Sequence, residues 1–367
     1  MLSPLDDYPI HQTSEVMRHV ATSDRNFYDR YYFNLGPCGD DLFLLAGVGQ
    51  YPNLGVVDAF VAVMRNGKHH VVRASRELGV DRMDTSVGPI AVEVLEGLKR
   101  LRVTCERGEG PIELDAVFEG SHVAHEEPRH YQRRNDRVFF DSMRLAQTGR
   151  WSGRLRVGDE EFAITPDRWW GTRDRSWGIR PVGEPEPPGI AAAGEPQGFF
   201  WIYAPFQFAD HSILAITQEE TDGTRILEEA VRVWHDGRPT ESLGRPEYEL
   251  EFDRGTRFVR RATLRFTAPG NRPLDVHVTP VVPLWLMLGT GYGGMEPDWR
   301  HGMYQGPLKV ESRTYDIDAN PPDSRFNLVD NLARFEAHGE TGWGLFEFGA
   351  LGPHVQSGFT SWEDVAP

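Results

Sequence analysis

Tyr248-Glu-Leu-Glu-Phe252 alternates apolar and acidic side chains, and the nearby Arg261-Ala-Thr-Leu-Arg-Phe266 sets Ala262, Leu264 and Phe266 on one face against arginine and threonine on the other. A period of two is the pattern of a half-buried antiparallel strand. The turns agree with it. Asn66-Gly67 lies between Phe60-Val-Ala-Val-Met64 and His70-Val-Val72, and Asp236-Gly237 follows Val231-Arg-Val-Trp234; both pairs accept the positive φ of tight hairpins. The 38 glycines and 26 prolines are scattered as punctuation, which suits many short strands joined by turns. Helical signal is thin. Residues 14–20 predict a short helix and 323–332 a turn or two, and neither extends into a long stripe of period 3.6. The expectation is an all-β antiparallel protein with few short helices, not an α/β sheet.

At 367 residues the chain exceeds the size at which one hydrophobic core keeps growing. Pro181-Val-Gly-Glu-Pro-Glu-Pro-Pro-Gly189 reads as a linker, because proline removes ladder donors and the charges resist burial. Two domains are therefore expected, 1–190 and 191–367, each hiding its strand edges by closing into a barrel whose interior can hold a small ligand. The 55 acidic residues against 39 Lys and Arg leave a net charge of -16, which repels polyphosphate and anionic lipid. Neither nucleic acid nor a membrane surface is an expected partner. No run of about 18 apolar residues could span a bilayer, and the N-terminus lacks a basic stretch followed by an apolar one, so cytoplasmic residence is expected. Cys38 and Cys105 are too few for a disulfide framework or a thiolate zinc site. No metal and no cofactor are expected.

The densest cluster is Asp167-Arg-Trp-Trp-Gly-Thr-Arg-Asp-Arg-Ser-Trp-Gly-Ile-Arg180, which packs Trp169, Trp170 and Trp177 among Arg168, Arg173, Asp174, Arg175 and Arg180. Arginine stacks on indole faces and pairs with carboxylates, so this segment can build a rigid wall that presents one acid or donor to a cavity. The competing reading is an ion-paired clamp that seals a barrel end. In Phe199-Phe-Trp-Ile-Tyr-Ala-Pro-Phe-Gln-Phe208, alternation puts Phe199, Trp201 and Tyr203 on one face; Trp201 and Tyr203 have polar ends that want partners when buried. His301, with Tyr304 in the same glycine-flanked segment and Trp285 upstream, is the foremost histidine candidate. His211 beside Asp210 reads as an exposed turn. His122, His125 and His130 read as a solvated loop whose spacing does not match a helical zinc pair. Gly47-Val-Gly49 lacks the third glycine of a dinucleotide loop, and Asp58 reads as a turn carboxylate capping backbone N–H groups.

Three stretches carry a resemblance to a known family: Arg173-Asp-Arg-Ser-Trp-Gly-Ile-Arg180, Tyr31-Tyr-Phe-Asn34 with Asn53-Leu-Gly55, and Gly342-Trp-Gly-Leu-Phe-Glu-Phe-Gly349. The sequence resembles the carotenoid 1,2-hydratase (hydroxyneurosporene synthase) and AttH-like superfamily, whose members pair two lipocalin-like (calycin-type) barrels. Fungal Diels-Alderases belong to the same structural group, so the shared fold does not fix the reaction. The resemblance implies a pocket near the tryptophan motif where an alkene is protonated. Two departures remove carotenoid hydration from the expectation: Arg175 stands where the family has a histidine, and Tyr203 where it has an acid, and neither moves a proton readily at neutral pH.

The function expected is a cofactor-independent acid/base enzyme of hydratase, lyase, isomerase or cyclase type. Its substrate is a hydrophobic terpenoid, polyketide or aromatic molecule. Asp174, Tyr203, His301 and Arg175 are the catalytic candidates; Trp177, Trp169, Trp170, Trp201, Trp285, Tyr304 and Asn34 are the substrate-binding ones. The alternative is a carrier or sensor that binds a lipophilic ligand unchanged. A homodimer is compatible with either.

Overall fold

The computed structural model describes every residue except 109, 135, 188, 190–197, 269–271, 294–295 and 327. The boundary expected at residue 190 therefore lies outside the described residues. The first strands are β1 (Phe27–Gly36), β2 (Phe43–Tyr51), β3 (Val56–Arg65), β4 (Lys68–Glu77), β5 (Ser86–Val87), β6 (Ile90–Glu96), β7 (Arg100–Cys105) and β8 (Ile112–Gly120). There follow β9 (His125–Glu126), β10 (His130–Arg134), β11 (Arg137–Val157), β12 (Glu160–Ile164) and β13 (Trp170–Ile179). The rest are β14 (Phe199–Gln207), β15 (His211–Glu219), β16 (Arg225–Trp234), β17 (Glu241–Ser242), β18 (Arg245–Phe252), β19 (Val259–Thr267), β20 (Leu274–Trp285), β21 (Leu308–Asp316), β22 (Val329–Ala337) and β23 (Glu340–Leu351).

These strands form two curled antiparallel sheets. The first has the order β21-β4-β3-β2-β1-β13-β11-β8-β7-β6-β5, with β9, β10 and β12 on β11; the second runs β17-β16-β15-β14-β23-β22-β20-β19-β18. The hairpin expected at Asn66-Gly67 joins β3 to β4 with both residues at positive φ. The alternation read in 248–252 and 261–266 falls on β18 and β19, where Ala262, Leu264 and Phe266 are buried. One strand crosses over: β21, late in the chain, pairs along β4 and so extends the first sheet.

Each sheet wraps a core of its own. Phe33, Val61, Phe118 and Trp151 belong to the first core, and Phe200, Phe206, Phe335 and Phe346 to the second. A third apolar layer lies where the sheets meet, with Tyr32, Phe43, Leu45 and Phe60 from one and Trp201, Tyr203, Leu284 and Leu345 from the other. Strands in the middle of this stack are covered on both sides, and all nine residues of β2 are buried.

The expected helix at 14–20 is absent, and the segment forms bends and turns. It has no buried apolar stripe, and a helix so short is marginal without one. At 323–332 a 3-10 turn, Ser324–Phe326, gives way to β22, because Leu332 and Phe335 bury against opposite cores at strand spacing. Among the described residues no helix is long and apolar enough to cross a membrane.

Candidate functional site

The layer between the sheets is not wholly apolar, and its polar residues are gathered. From the first sheet come Arg30 and Tyr32 on β1, Arg144 on β11 and Asp174 on β13; Tyr32 and Ala146 flank Asp174 in register. From the second come Trp201 and Tyr203 on β14, Asp330 on β22 and Glu347 on β23, with Tyr203, Glu347 and Asp330 side by side across three strands. Strand β13 packs on β23 and β14, which brings the two sets face to face. Arg144, Asp174, Tyr292 and Glu347 are enclosed by protein yet keep part of their surface open. That combination is the one expected of side chains beside an internal space.

One buried polar atom here, Trp201 Nε1, has no hydrogen-bond partner among the described residues, while Tyr203 interacts with Glu127 and Asp330 with Glu347. An unpaired buried polar atom costs about 1–3 kcal/mol. A ligand between the sheets would supply such a partner.

The carboxyl groups differ in charge. Burial pushes Asp174 up to about 6, against the pull of Arg144, so it is ionised at neutral pH. Asp330 and Glu347 form a buried pair, and desolvation followed by mutual repulsion raises Glu347 well above the usual carboxylate range. Desolvation also raises Asp330, to about 7, while the hydrogen bond that Tyr32 donates to its Oδ2 pulls the other way, so the pair holds a proton at neutral pH. Opposite them Arg144 is ion-paired with buried Glu127, and its guanidinium lies 4.3 Å from the Tyr203 ring centroid and 5.4 Å from that of Trp201. Burial opposes the charge on Arg144, but Glu127, Tyr203 and Asp174 hold it protonated. Burial also raises Tyr203 well above an ordinary phenol, so it donates a hydrogen bond and does not act as a base.

Arg30 anchors the neighbouring corner. It donates to Tyr51 Oη at 3.0 Å and to His301 Nδ1, and Tyr51 in turn donates to Asp58 Oδ1 at 3.1 Å. Asp58 also accepts the Gly302 backbone N–H at 2.7 Å, which ties the 286–307 loop to β3. Gly47 and Gly49 clear the path for Arg30 across β2: a Cβ at Gly49 would meet Tyr51 Oη at 2.5 Å and Arg30 Cγ at 2.9 Å. Gly49→Ala is expected to lower stability by about 1–3 kcal/mol through overpacking. A urea denaturation midpoint equal to that of the native chain would show that Arg30 is not seated there.

The residues singled out from the sequence divide into groups. Asp174, Tyr203 and Trp201 share the inter-sheet space. Arg175 and Trp177 do not: strand alternation turns them to the first core's side of β13, where Arg175 pairs with Asp29 and lies 4.2 Å over Tyr31, and Trp177 is 37% exposed. The rigid wall expected from this segment is thus split between two faces. Trp169 is buried in the first core, and Trp170 stacks on Arg150 four residues away from Asp174 along the strand. His301 lies next to the site, but Arg30 can only donate to Nδ1, so Nε2 carries the proton and gives it to the Thr290 carbonyl at 3.0 Å. Burial and Arg30 hold its ring neutral, and neither nitrogen is left for a substrate. Asn34 is spent on Thr172, Tyr304 is exposed and bonded to Glu77, and Trp285 packs on Phe258.

Two other expectations change. Asp58 sits within a strand, not a turn, because its two oxygens serve Tyr51 and the docked loop. His122, expected in a solvated loop, is buried and stacked on His235 where the sheets meet, and its Nε2 accepts the Thr148 N–H. Arg30, Tyr32, Arg144, Asp330 and Glu347 were not singled out. Glu347 has a sequence signal in hindsight, as the one acid on the strand face it shares with Trp343 and Leu345.

Hollows lie elsewhere as well. A groove of about 420 Å³ on β6–β8 is lined by Glu93, Arg102 and Asp115, whose charges pair with one another. A hollow of about 240 Å³ at the end of the second sheet is lined by Phe258, Trp285, Asn331 and Phe348. Neither gathers carboxyls of opposite protonation state, as the inter-sheet site does.

The same fold occurs in solved structures. A Nitrosomonas europaea protein assigned as an AttH superposes with a TM-score of 0.54 at 16% identity, covering 90% of this chain and 94% of that one. CghA, solved with Sch210972, superposes with a TM-score of 0.52 at 10% identity, covering 89% of each chain. Identities this low bear on the fold alone, and the fold is the AttH-like pair of lipocalin-like sheets that the motifs implied. No curated protein matches the sequence. The model of a family of unknown function, DUF8625, matches residues 2–360.

Proposed function

The chain belongs to the DUF8625 family, and we propose that it is a cytoplasmic acid/base enzyme of two lipocalin-like units, divided near residue 190 except that β21 returns to the first, that rearranges a hydrophobic small molecule between its sheets. The observation that carries this reading is that burial shifts carboxyl groups on facing walls to different degrees: Glu347, raised well above the usual range beside Asp330, on one wall, and Asp174, raised to about 6, on the other. Carboxyl groups pushed apart in protonation state divide acid from base work.

Glu347 gives its proton to an alkene, carbonyl or leaving group of the substrate. Asp174 takes a proton from the substrate or from an added water. The protons balance, so isomerisation and cyclisation need no co-reactant, hydration consumes one water, and elimination releases one small fragment. Developing positive charge is met by the faces of Trp201 and Tyr203, and developing negative charge by Arg144 and the Tyr203 hydroxyl. The apolar surround of Phe43, Phe60, Leu284 and Leu345 keeps bulk water from quenching intermediates. Terpenoid, polyketide and aromatic substrates fit such walls.

The test is incubation of the purified chain, without cofactor, with a panel of alkenes, prenyl alcohols and polyenes, followed by mass spectrometry and chromatography. A new product of unchanged mass, of mass plus water, or of mass less a small fragment is expected, and it should disappear with Asp174→Asn. Tight binding of panel members with no product from any of them replaces the enzyme with a carrier.

A further inference from the structure

The first sheet's own core holds a cation that has no salt-bridge partner among the described residues. Arg173 is 2% exposed. Its side-chain bond is from Nε to Gln147 Oε1 at 2.8 Å, Nη2 has no partner, and the guanidinium lies 5.7 Å from the Phe118 ring centroid. Arg175 follows on the same strand face and shares Asp29 with Arg82. Two guanidinium groups thus share one carboxylate beside Arg173, in a chain whose net charge is -16.

This end of the first core is also open. Ile90, Val92 and Val94 turn inward in succession along β6, yet the first two are buried while Val94 is 47% exposed. Leu98, in the turn that follows β6, is exposed too, and its carbonyl accepts from Gln147 Nε2 at 3.1 Å. One amide therefore fastens the apolar rim to the arginine below it. Tyr31, Met143 and Leu145 are only half-buried, and Trp177 stands on the same face of β13 as Arg173.

We propose that this mouth of the first barrel binds an organic carboxylate with an apolar tail, separately from the inter-sheet site. The fork of Arg173 takes the carboxylate, as guanidinium geometry favours. Arg175 adds charge beside it, and the tail lies along Tyr31, Val94, Leu145 and Trp177. The site accounts for an arginine that is otherwise buried at a loss, and it does not depend on the acid/base reading.

Isothermal titration of the full chain with dodecanoate and with dodecanol tests this. Dodecanoate is expected to bind at one equivalent, and dodecanol about tenfold or more weakly, the loss that follows from removing a charge-assisted hydrogen bond. Arg173→Gln should weaken dodecanoate by a similar factor and leave dodecanol unchanged. It should melt no lower than the native chain, since it removes an uncompensated charge. Glu347→Gln should bind dodecanoate as the native chain does. Equal binding of acid and alcohol, no binding of either, or full affinity in Arg173→Gln each overturns the proposal, and so does a loss of dodecanoate in Glu347→Gln alone, which would put the ligand between the sheets. If Arg173→Gln does not fold, the acid-against-alcohol comparison on the native chain decides.

Discussion

Glu347→Gln is expected to lower kcat by about 10²–10⁴-fold on whichever substrate the panel identifies, the range a positioned general acid contributes. Glutamine keeps the shape and the hydrogen-bonding capacity of the protonated acid but cannot release the proton. KM should therefore move little. The pH profile separates this role from a structural one. In the native chain the acid limb reports Asp174, which burial places at about 6, and the basic limb reports ionisation of the pair formed by Glu347 and Asp330. Asp330→Asn removes the neighbouring carboxylate that keeps Glu347 protonated, so the basic limb should move to lower pH while activity persists below it. A kcat within threefold of native in Glu347→Gln, or a basic limb unmoved in Asp330→Asn, would remove Glu347 from the mechanism.

The class of fold was legible because the outer strands obey a one-sided rule. In β18 and β19 one face meets the second core and the other meets water, so apolar and charged residues alternate. The strands that build the site give no such reading. β2 and β14 are covered on both faces, so their sequences are nearly unbroken apolar runs and do not tell which face is which. That ambiguity explains the division of the arginine-tryptophan segment. The crowding of Asp174, Arg175 and Trp177 is real in sequence, but period-two alternation sends Asp174 to one side of β13 and the other two to the opposite side.

The acid was hidden for a different reason. Glu347 and Asp330 are unremarkable as single residues, and their properties arise from adjacency across β22 and β23, which no local pattern reports. Tyr203 was read as standing in the place of the family's acid; in the fold it lies directly opposite Glu347. The family motif around Glu347 was recognised as a fold marker without its acid being given a role. His301 misled in the other direction. A histidine between glycines suggests a mobile base, whereas here the glycine allows the loop to dock, and Gly302 gives its N–H to Asp58.

The buried acid pair should also be visible in stability, with a sign opposite to that of an ordinary salt-bridged carboxylate. A folded-state pKa raised above the unfolded value means that the folded chain holds a proton the unfolded chain has lost. Stability from such a group is full below the unfolded value, near 4.3 for glutamate, and is lost as pH rises toward the folded one. Below pH 6.5 this trend is masked, because burial also keeps His69, His122 and His301 neutral in the fold, and their protonation in the unfolded chain pulls the other way. Above about pH 7 the histidines are uncharged in both states. The descent then comes from the acid pair, with Asp330 raised to about 7 and Glu347 held well above the normal range, joined toward pH 9 by Cys38 and Cys105, whose thiols burial raises to about 12, at about 1.4 kcal/mol per pH unit for each retained proton. Unfolding midpoints in urea should accordingly fall as the pH rises above 7 in the native chain. The fall should be shallower in Glu347→Gln, which cannot ionise at that position. Parallel pH dependence in the two proteins would mean that Glu347 is already ionised at neutral pH, and the proton proposed for catalysis would not be there to give.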